Sequence, residues 1–260
     1  MTAQLSHLPN GLRVATREIP HATTVSIGIW VIAGARDEME KEQGIAHMLE
    51  HMAFKGTKRR DAQSIATEIE NVGGFMNAHT SREETAYYLR LLPEHIDLGI
   101  DILTDILTQS TLPEVEIERE RGVIIQEIGQ SLDTPDDLVF DLFASACYAA
   151  HNLGRSILGT VDSVSRFQRA DLNDFMHRFY GAEQMLVVAS GAVQHDDIVR
   201  RIEACLGNLS NAQTASRTPP CWTAGRKIIE RDLEQSHTVF GLPAKAATAP
   251  DRFALMALST

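Results

Sequence analysis

Apolar and polar residues alternate with a period of two near the start of the chain, between residues 12 and 33. The apolar positions of the second part are mostly β-branched: Val25, Ile27, Ile29 and Val31. A period of two places such side chains on one face of a strand, and β-branched residues favour strands. Because Pro20-His21 is a turn signal inside the segment, we predict a strand, a turn and a second strand.

Helical periodicity and cap residues divide most of the remaining chain into helices and a few strands. Gly56 and the pair Gly73-Gly74 are placed to end two of the helices, and prolines open two others. We predict helices over residues 42–55, 61–72, from Pro93 through Ile106, from Pro113 onward, and over 135–149, 170–180 and 195–206. Strands are predicted at 75–80, 85–92 and 185–192. Strands mixed with helices in this way indicate an α+β domain.

Composition narrows the possible partners of the chain. It has 260 residues, of which 43% are hydrophobic and 23% charged, so it can bury a substantial core. A net charge of −11 argues against binding to nucleic acid and suits basic peptides, although such acidity is also common in proteins of other functions. No run approaches the roughly 20 apolar residues that span a bilayer, so we expect no membrane association.

The number and spacing of the cysteines, together with the N-terminal residues, indicate the cellular compartment of the protein. The three cysteines, Cys147, Cys205 and Cys221, are odd in number and widely spaced, which argues against a disulfide framework. Residues 1–7 have neither the basic start nor the apolar run of a signal peptide. We therefore expect a cytoplasmic protein.

The sequence His47-Met48-Leu49-Glu50-His51 contains the candidate chemistry. On a helix, residues four apart lie on one face, so two neutral imidazoles can share one Zn²⁺. Glu50 can then act on a water molecule instead of binding the metal. This H-x-x-E-H order is the reverse of the more frequent H-E-x-x-H zinc-peptidase motif. Five residues alone also fit an ordinary solvated helix.

A catalytic zinc site usually takes three protein ligands, and the acidic segment after Pro113 offers candidates for the third. We predict Glu127, because it follows the apolar run Val123-Ile124-Ile125 that draws this part of a helix toward the interior. Glu120 lies seven residues earlier, close to two helical turns, and so faces nearly the same way. For Glu120, the alternative to a role at the zinc site is an ordinary surface carboxylate. The other charged residues of the segment are interpreted as solvated helix pairs: Glu114, Glu116, Glu118, Arg119 and Arg121.

Four stretches, in this order, resemble the M16 metallopeptidases, the family of pitrilysin, insulin-degrading enzyme, mitochondrial processing peptidase and their bacterial relatives. They are residues 8–14 (LPNGLRV), 44–57 (GIAHMLEHMAFKGT), 73–83 (GGFMNAHTSRE) and 118–121 (ERER) with Glu127. The resemblance implies a sheet, mixed or antiparallel, that is covered by helices. It also implies that His47, His51 and Glu127 bind zinc, that Glu50 is the general base and that Glu120 assists catalysis.

The resemblance also suggests where a substrate binds. A peptide is expected to add as a strand to residues 75–80, where Asn77 and Ala78 match substrate-contacting positions of the family. Phe54 is a further candidate for a pocket next to the site, although a single aromatic residue at a helix end is more often part of the core. His79 is not included, because its spacing does not require a role.

The composition changes after residue 208. Residues 209–220 are small and polar and end in two prolines, which indicates a linker, and we place the linker at 209–225. Residues 226–232 and 237–242 weakly repeat residues 13–18 and 23–29, so strands are predicted there, and a helix is predicted at 251–258. Family members contain two homologous halves that close on each other. We therefore expect residues 1–208 to form the zinc-bearing domain and residues 226–260 to begin a second domain that stops early.

Three functions are compatible with these residues. The first is a zinc-dependent endopeptidase that hydrolyses unfolded peptides or presequence-like segments. The second is a peptide-binding or scaffold subunit, since some relatives keep the fold and lose the chemistry. The third is a fragment with an intact zinc site that needs a second M16 half or a dimer partner. Because no zinc-site residue is missing, we predict the peptidase.

Overall fold

A six-stranded mixed sheet forms the centre of the structure, a computed structural model that describes residues 2–212 and 217–258. The strands are β1 (Gln4–His7), β2 (Arg13–Glu18), β3 (Val25–Val31), β4 (Phe75–Thr80), β5 (Thr85–Leu91) and β6 (Met185–Gly191). They are ordered β1-β2-β6-β3-β5-β4 across the sheet, with β2 and β6 parallel and the other adjacent pairs antiparallel. The predicted α+β class and the mixed sheet are confirmed.

Helices surround this sheet, and apart from the short α6, which was not predicted, they follow the predicted ranges closely. They are α1 (Ile45–Ala53), α2 (Ala62–Glu70), α3 (Ile96–Thr108), α4 (Glu114–Asp133), α5 (Pro135–Cys147), α6 (Val161–Val164), α7 (Arg169–Phe179), α8 (His195–Leu206) and α9 (Arg252–Leu258). The α1 helix begins three residues later than predicted because Gly44 has a φ of 91°, a left-handed conformation that interrupts helical geometry. Among the described residues, no helix has the length and apolar character required to cross a membrane.

The core lies between the sheet and the helices that carry the candidate site. In β3 the side chains of Ile27 and Ile29 are buried, and on α1 the side chains of Met48 and Met52 are fully buried. Burying four large apolar side chains contributes on the order of 1.5–3 kcal/mol each, before chain entropy is counted. The opposite face of α1 is therefore the one left for His47, Glu50 and His51, which are only partly buried.

Two predictions about strands differ from the structure. β1 was not predicted, because four residues with an exposed Leu5 give little periodic signal. The strands predicted at 226–232 and 237–242 are not formed. That segment lies beside α5 instead, where Lys227 Nζ donates to Ser145 Oγ at 2.7 Å, and none of the described strands pairs with it. The predicted helix at 251–258 forms as α9, and residues 213–216 of the predicted linker lie outside the described residues.

Candidate metal centre and active site

The α1 helix presents His47, Glu50 and His51 on the face that is turned away from its buried methionines. The imidazole rings of His47 and His51 lie one above the other, with centroids 4.6 Å apart. Four-residue spacing on a regular helix produces this placement. The start of the helix is fixed by Glu38, whose buried carboxyl group accepts hydrogen bonds from the Gly44 N–H at 2.9 Å and the Ala46 N–H at 3.0 Å.

The α4 helix brings two glutamates to the same place. Pro113 precedes its first turn, and the buried residues Ile117, Ile124 and Ile128 direct one face toward the core. Glu127 Oε2 lies 3.8 Å from His47 Nε2 and 3.8 Å from His51 Nε2. His47, His51 and Glu127 thus form a group whose candidate ligand atoms all lie within 4.8 Å of one another and which could hold a metal ion.

This group suits a tetrahedral cation. Ligand atoms at 2.0–2.2 Å from a tetrahedral zinc ion lie about 3.4 Å apart, close to the two separations of 3.8 Å. Glu127 Oε2 is buried and accepts no hydrogen bond from the described residues. Burial, with a smaller contribution from neighbouring His51, lowers the pKa of His47 to about 4, so its imidazole is neutral at pH 7, as a metal ligand must be.

Glu120 supports the site from behind His51. Its Oε2 lies 2.8 Å from His51 Nδ1, and its Oε1 lies 2.7 Å from Lys55 Nζ. Burial alone would raise the pKa of the Glu120 carboxyl, but the hydrogen bonds from Lys55 and His51 outweigh it and hold the pKa below its ordinary value. An ionised carboxylate accepts only, so Nδ1 of His51 donates and Nε2 is left to face Glu127. A carboxylate that orients a metal-ligating histidine commonly occupies this position.

Glu50 is separate from the group of candidate ligands. Its Oε2 accepts a hydrogen bond of 2.6 Å from the hydroxyl of Thr80, the last residue of β4. Both residues, together with His47, line a cleft of 440 Å³. The carboxylate is therefore placed to act on a molecule in the cleft without taking part in the ligand group.

The cleft is bounded by β4 on one side and by α5 and residues 156–158 on the other. β4 is the last strand of the sheet order, so one of its edges has no partner strand among residues 2–212 and 217–258. Asn77 is exposed on this strand, and its Oδ1 accepts a hydrogen bond from the buried Ala78 N–H. Phe54 is elsewhere: it packs on the core with its ring centroid 6.3 Å from that of Tyr87.

Several contributors to the site were not predicted from the sequence. Lys55 lies just after the end of α1, four residues beyond His51, and this closeness in sequence could have pointed to a shared acidic partner. Thr80 has no such signal, because 30 residues separate it from Glu50. The far wall of the cleft, which includes Asp137, Phe140 and Asp141 of α5, depends on how α5 packs and has no motif.

Two helix-borne histidines and a helix-borne glutamate, with a further carboxylate beside them that is outside the ligand group, define a candidate metallopeptidase site. Residues 13–161, which include every residue of this site, match the family profile described as Insulinase (Peptidase family M16). The chain belongs to peptidase family M16. Residues 166–260 match a second profile, described as Peptidase M16 inactive domain, which begins within the sheet-bearing part because it includes β6.

Individual proteins of known sequence or structure agree with this assignment. The chain is 40% identical to the mitochondrial-processing peptidase subunit beta of Saccharomyces cerevisiae, over 97% of this chain and 56% of that protein. It is 37% identical to an uncharacterized zinc protease of Streptomyces coelicolor, over 100% of this chain and 58% of that protein. The crystal structure of a protease from Helicobacter pylori has the same fold, with a TM-score of 0.79 and 24% identity, covering 85% of this chain and 54% of that one. The chain thus spans little more than half the length of these relatives.

Proposed function

We propose that the chain is the zinc-bearing part of an endopeptidase. The observation that carries this proposal is the convergence of His47, His51 and Glu127, with Glu50 lining the same cleft as His47 without joining the group. Two further features support it. Neutral His47 and ionised Glu120 give the group the charge distribution that a divalent cation favours.

Different residues of the chain have different roles in peptide hydrolysis. When bound by His47, His51 and Glu127, zinc would polarise the scissile carbonyl and lower the pKa of a coordinated water toward about 7. Glu50 accepts the proton of the attacking water and returns it to the leaving amine. Glu120 keeps His51 in one tautomer and orientation, so that Nε2 remains available.

An extended peptide is the substrate class that fits the cleft. The free edge of β4 offers backbone groups to an added strand, which gives sequence-tolerant binding, and Asn77 and Ala78 lie on that strand. The opposite wall carries Asp137 and Asp141, and Arg82 pairs with Asp141 at 2.8 Å. Asp137 forms no ion pair with the residues that the structure describes, so its carboxylate is available to a basic side chain, which agrees with the net charge of −11. We propose unfolded or presequence-like peptides with basic residues as substrates.

A partner of the M16 kind is part of the proposal. One wall of the cleft is open, and residues 226–258 expose large apolar side chains such as Ile228 and Phe240. We propose that residues 1–208 form the zinc-bearing domain, that residues 209–225 form a linker, and that residues from 226 onward belong to a second M16 half. Such a half, in the same or another chain, would close over the peptide and exclude water.

Metal analysis combined with a quenched-fluorescence peptide assay tests this function. We expect about one zinc per chain, and hydrolysis of basic extended peptides that rises strongly when a second M16 half is added. The second candidate, a peptide-binding subunit without chemistry, predicts peptide binding without zinc and without turnover in either form. Zinc content thus separates enzyme from scaffold, and turnover by the chain alone shows whether the second half is required.

A further inference from the structure

The end of strand β4 contacts the proposed general base. The Thr80 hydroxyl donates to Glu50 Oε2 at 2.6 Å, which lies in the range of charge-assisted O–H···O⁻ hydrogen bonds. Among the described residues it is the hydrogen bond that the Glu50 carboxylate accepts. A hydroxyl has one proton to give, so the other carboxylate oxygen, Oε1, is left for a proton from the cleft.

The position of this hydroxyl is fixed by the backbone. Thr80 pairs with Thr85 of β5 at the closed end of the strand pair. The turn after Thr80 is held against the chain after β3, because the Ala35 N–H donates to the Ser81 carbonyl at 3.2 Å and the Arg36 N–H donates to the Arg82 carbonyl at 2.7 Å. A β-branched residue in a strand also has few χ1 rotamers. The hydroxyl therefore points at Glu50 from a rigid support.

We infer that Thr80 is a positioning residue, through which the strand that receives the peptide also orients the base. The inference rests on the proposed function. If a peptide adds to the edge of β4, its backbone is placed by the same strand whose last residue holds Glu50. The same strand, β4, then positions both the scissile bond and the Glu50 carboxylate. This reduces errors in the distance between the two reacting groups.

Paired substitutions at Thr80 test the role of the hydroxyl. Thr80→Val keeps the branched shape and removes the donor, whereas Thr80→Ser keeps the donor. In whichever form turns over, the chain alone or the chain with a second M16 half, we expect Thr80→Val to lower kcat by about 10–100-fold, part of what a positioned base contributes. KM should change by less than about threefold, because the substitution removes no contact that binds the peptide equally in the ground state and the transition state. Thr80→Ser should restore most of kcat, and bound zinc should be unchanged in both variants.

A neighbouring threonine provides the matched control. Thr85, the pairing partner of Thr80, is buried, and its hydroxyl donates to the Ala33 carbonyl at 3.0 Å without touching Glu50. Thr85→Val removes a hydroxyl from the same strand pair, so it should lower stability and leave kcat unchanged. An equal loss of kcat in Thr80→Val and Thr85→Val would show that the sheet, not the contact with Glu50, matters, and would overturn the inference.

Unfolding of the metal-free chain supplies a readout that needs no turnover. The variants Thr80→Val, Glu50→Ala and their combination are compared by urea denaturation. The contact predicts that the two substitutions are coupled by about tenfold in the unfolding equilibrium constant, as expected for a hydrogen bond to a charged group. Additive effects would contradict the inference even if no form of the protein hydrolyses peptides.

Coupling without hydrolysis in any zinc-loaded form would support the contact and reject the proposed peptidase. Unchanged kcat in Thr80→Val, or loss of zinc from it, would refute the positioning role.

Discussion

The two ends of α1 are each held by a buried glutamate, and the two carboxyls have opposite pKa shifts. At the N-terminal end, Glu38 is 1% exposed and accepts two backbone N–H groups. Burial outweighs these hydrogen bonds and raises its pKa to about 8. At the C-terminal end, Glu120 is 6% exposed, and its contacts with Lys55 and His51 hold its pKa below the ordinary value.

Both carboxyls are buried yet their pKa shifts are opposite, because burial dominates at Glu38 whereas the contacts with Lys55 and His51 outweigh burial at Glu120. The ammonium group of Lys55 favours the ionised form of Glu120, and the Glu120 carboxylate accepts a hydrogen bond from His51 Nδ1. Among the described residues, Arg155 donates to the Glu38 backbone carbonyl and not to its carboxyl, which accepts the backbone N–H groups at the start of the helix. The glutamate at one end of α1 thus contacts the candidate metal ligand His51, and the glutamate at the other end contacts the backbone where the helix begins.

Glu127 differs from both of these carboxylates, since its buried Oε2 has no hydrogen-bond partner in the described part of the chain. Glu127→Gln replaces the charged candidate ligand by a neutral amide. Because a direct ligand contributes more than an outer partner, we expect zinc affinity to fall by more than about 100-fold. Competition with a chelating dye measures this. Unchanged zinc affinity would remove Glu127 from the site.

Glu120→Gln tests the C-terminal end of α1. The substitution keeps the shape and removes the negative charge that orients His51, so zinc affinity should fall by about 10–100-fold. The matched control is Glu118→Gln on the same helix, because Glu118 is exposed and pairs with Arg121, away from the histidines. If both variants bind zinc like the unmodified chain, Glu120 does not tune the metal centre.

The substitution Lys55→Met tests whether the ammonium group of Lys55 keeps Glu120 ionised. Methionine retains an apolar stem of similar length and removes the ammonium group that lies 2.7 Å from Glu120 Oε1. We expect a smaller loss of zinc affinity than for Glu120→Gln, about threefold, since the hydrogen bond to His51 remains. In a Glu120→Gln background the same change should have no further effect on the dye competition.

Glu38→Gln tests the N-terminal end and should have the smallest effect on zinc, within about twofold, because Glu38 contacts no candidate ligand. Its effect on stability depends on pH. The folded-state pKa of about 8 lies above the unfolded value of 4.5, so the folded chain binds the extra proton between these values. The stabilisation is complete below pH 4.5 and is lost as the pH rises toward 8.

Glutamine stays neutral across that range. The stability of the unmodified chain relative to Glu38→Gln should therefore fall as the pH rises from about 5 to about 8, measured by urea unfolding of the metal-free proteins. A difference that is constant with pH would show that Glu38 has no raised pKa in the folded chain.

The local part of the fold was predictable because it depends on residues near each other in sequence. The H-x-x-E-H spacing places His47 and His51 on one helix face, and the β-branched alternation around Ile27 and Ile29 defines β3. The strands predicted between 226 and 242 had similar patterns but no strand beside them, and they did not form. A strand pattern therefore yields a strand only where the segment lies along a partner strand.

The tertiary part of the site could not be predicted in the same way. Glu120 reaches His51 across 69 residues, and Thr80 reaches Glu50 across 30. Helical spacing showed that Glu120 and Glu127 face alike, yet not which of them is buried against Lys55. That depends on how α4 packs on α1, which no short pattern encodes.

Zinc content and peptide turnover of the Glu50→Gln variant test the central claim most directly. If Glu50 is the base and not a ligand, the variant should hold about one zinc per chain, as the unmodified chain does, and lose at least about 100-fold in kcat in the assembled form. Loss of most of the zinc would contradict this account, because Glu50 would then be a ligand. Retained turnover would contradict it equally, because another group would then accept the proton.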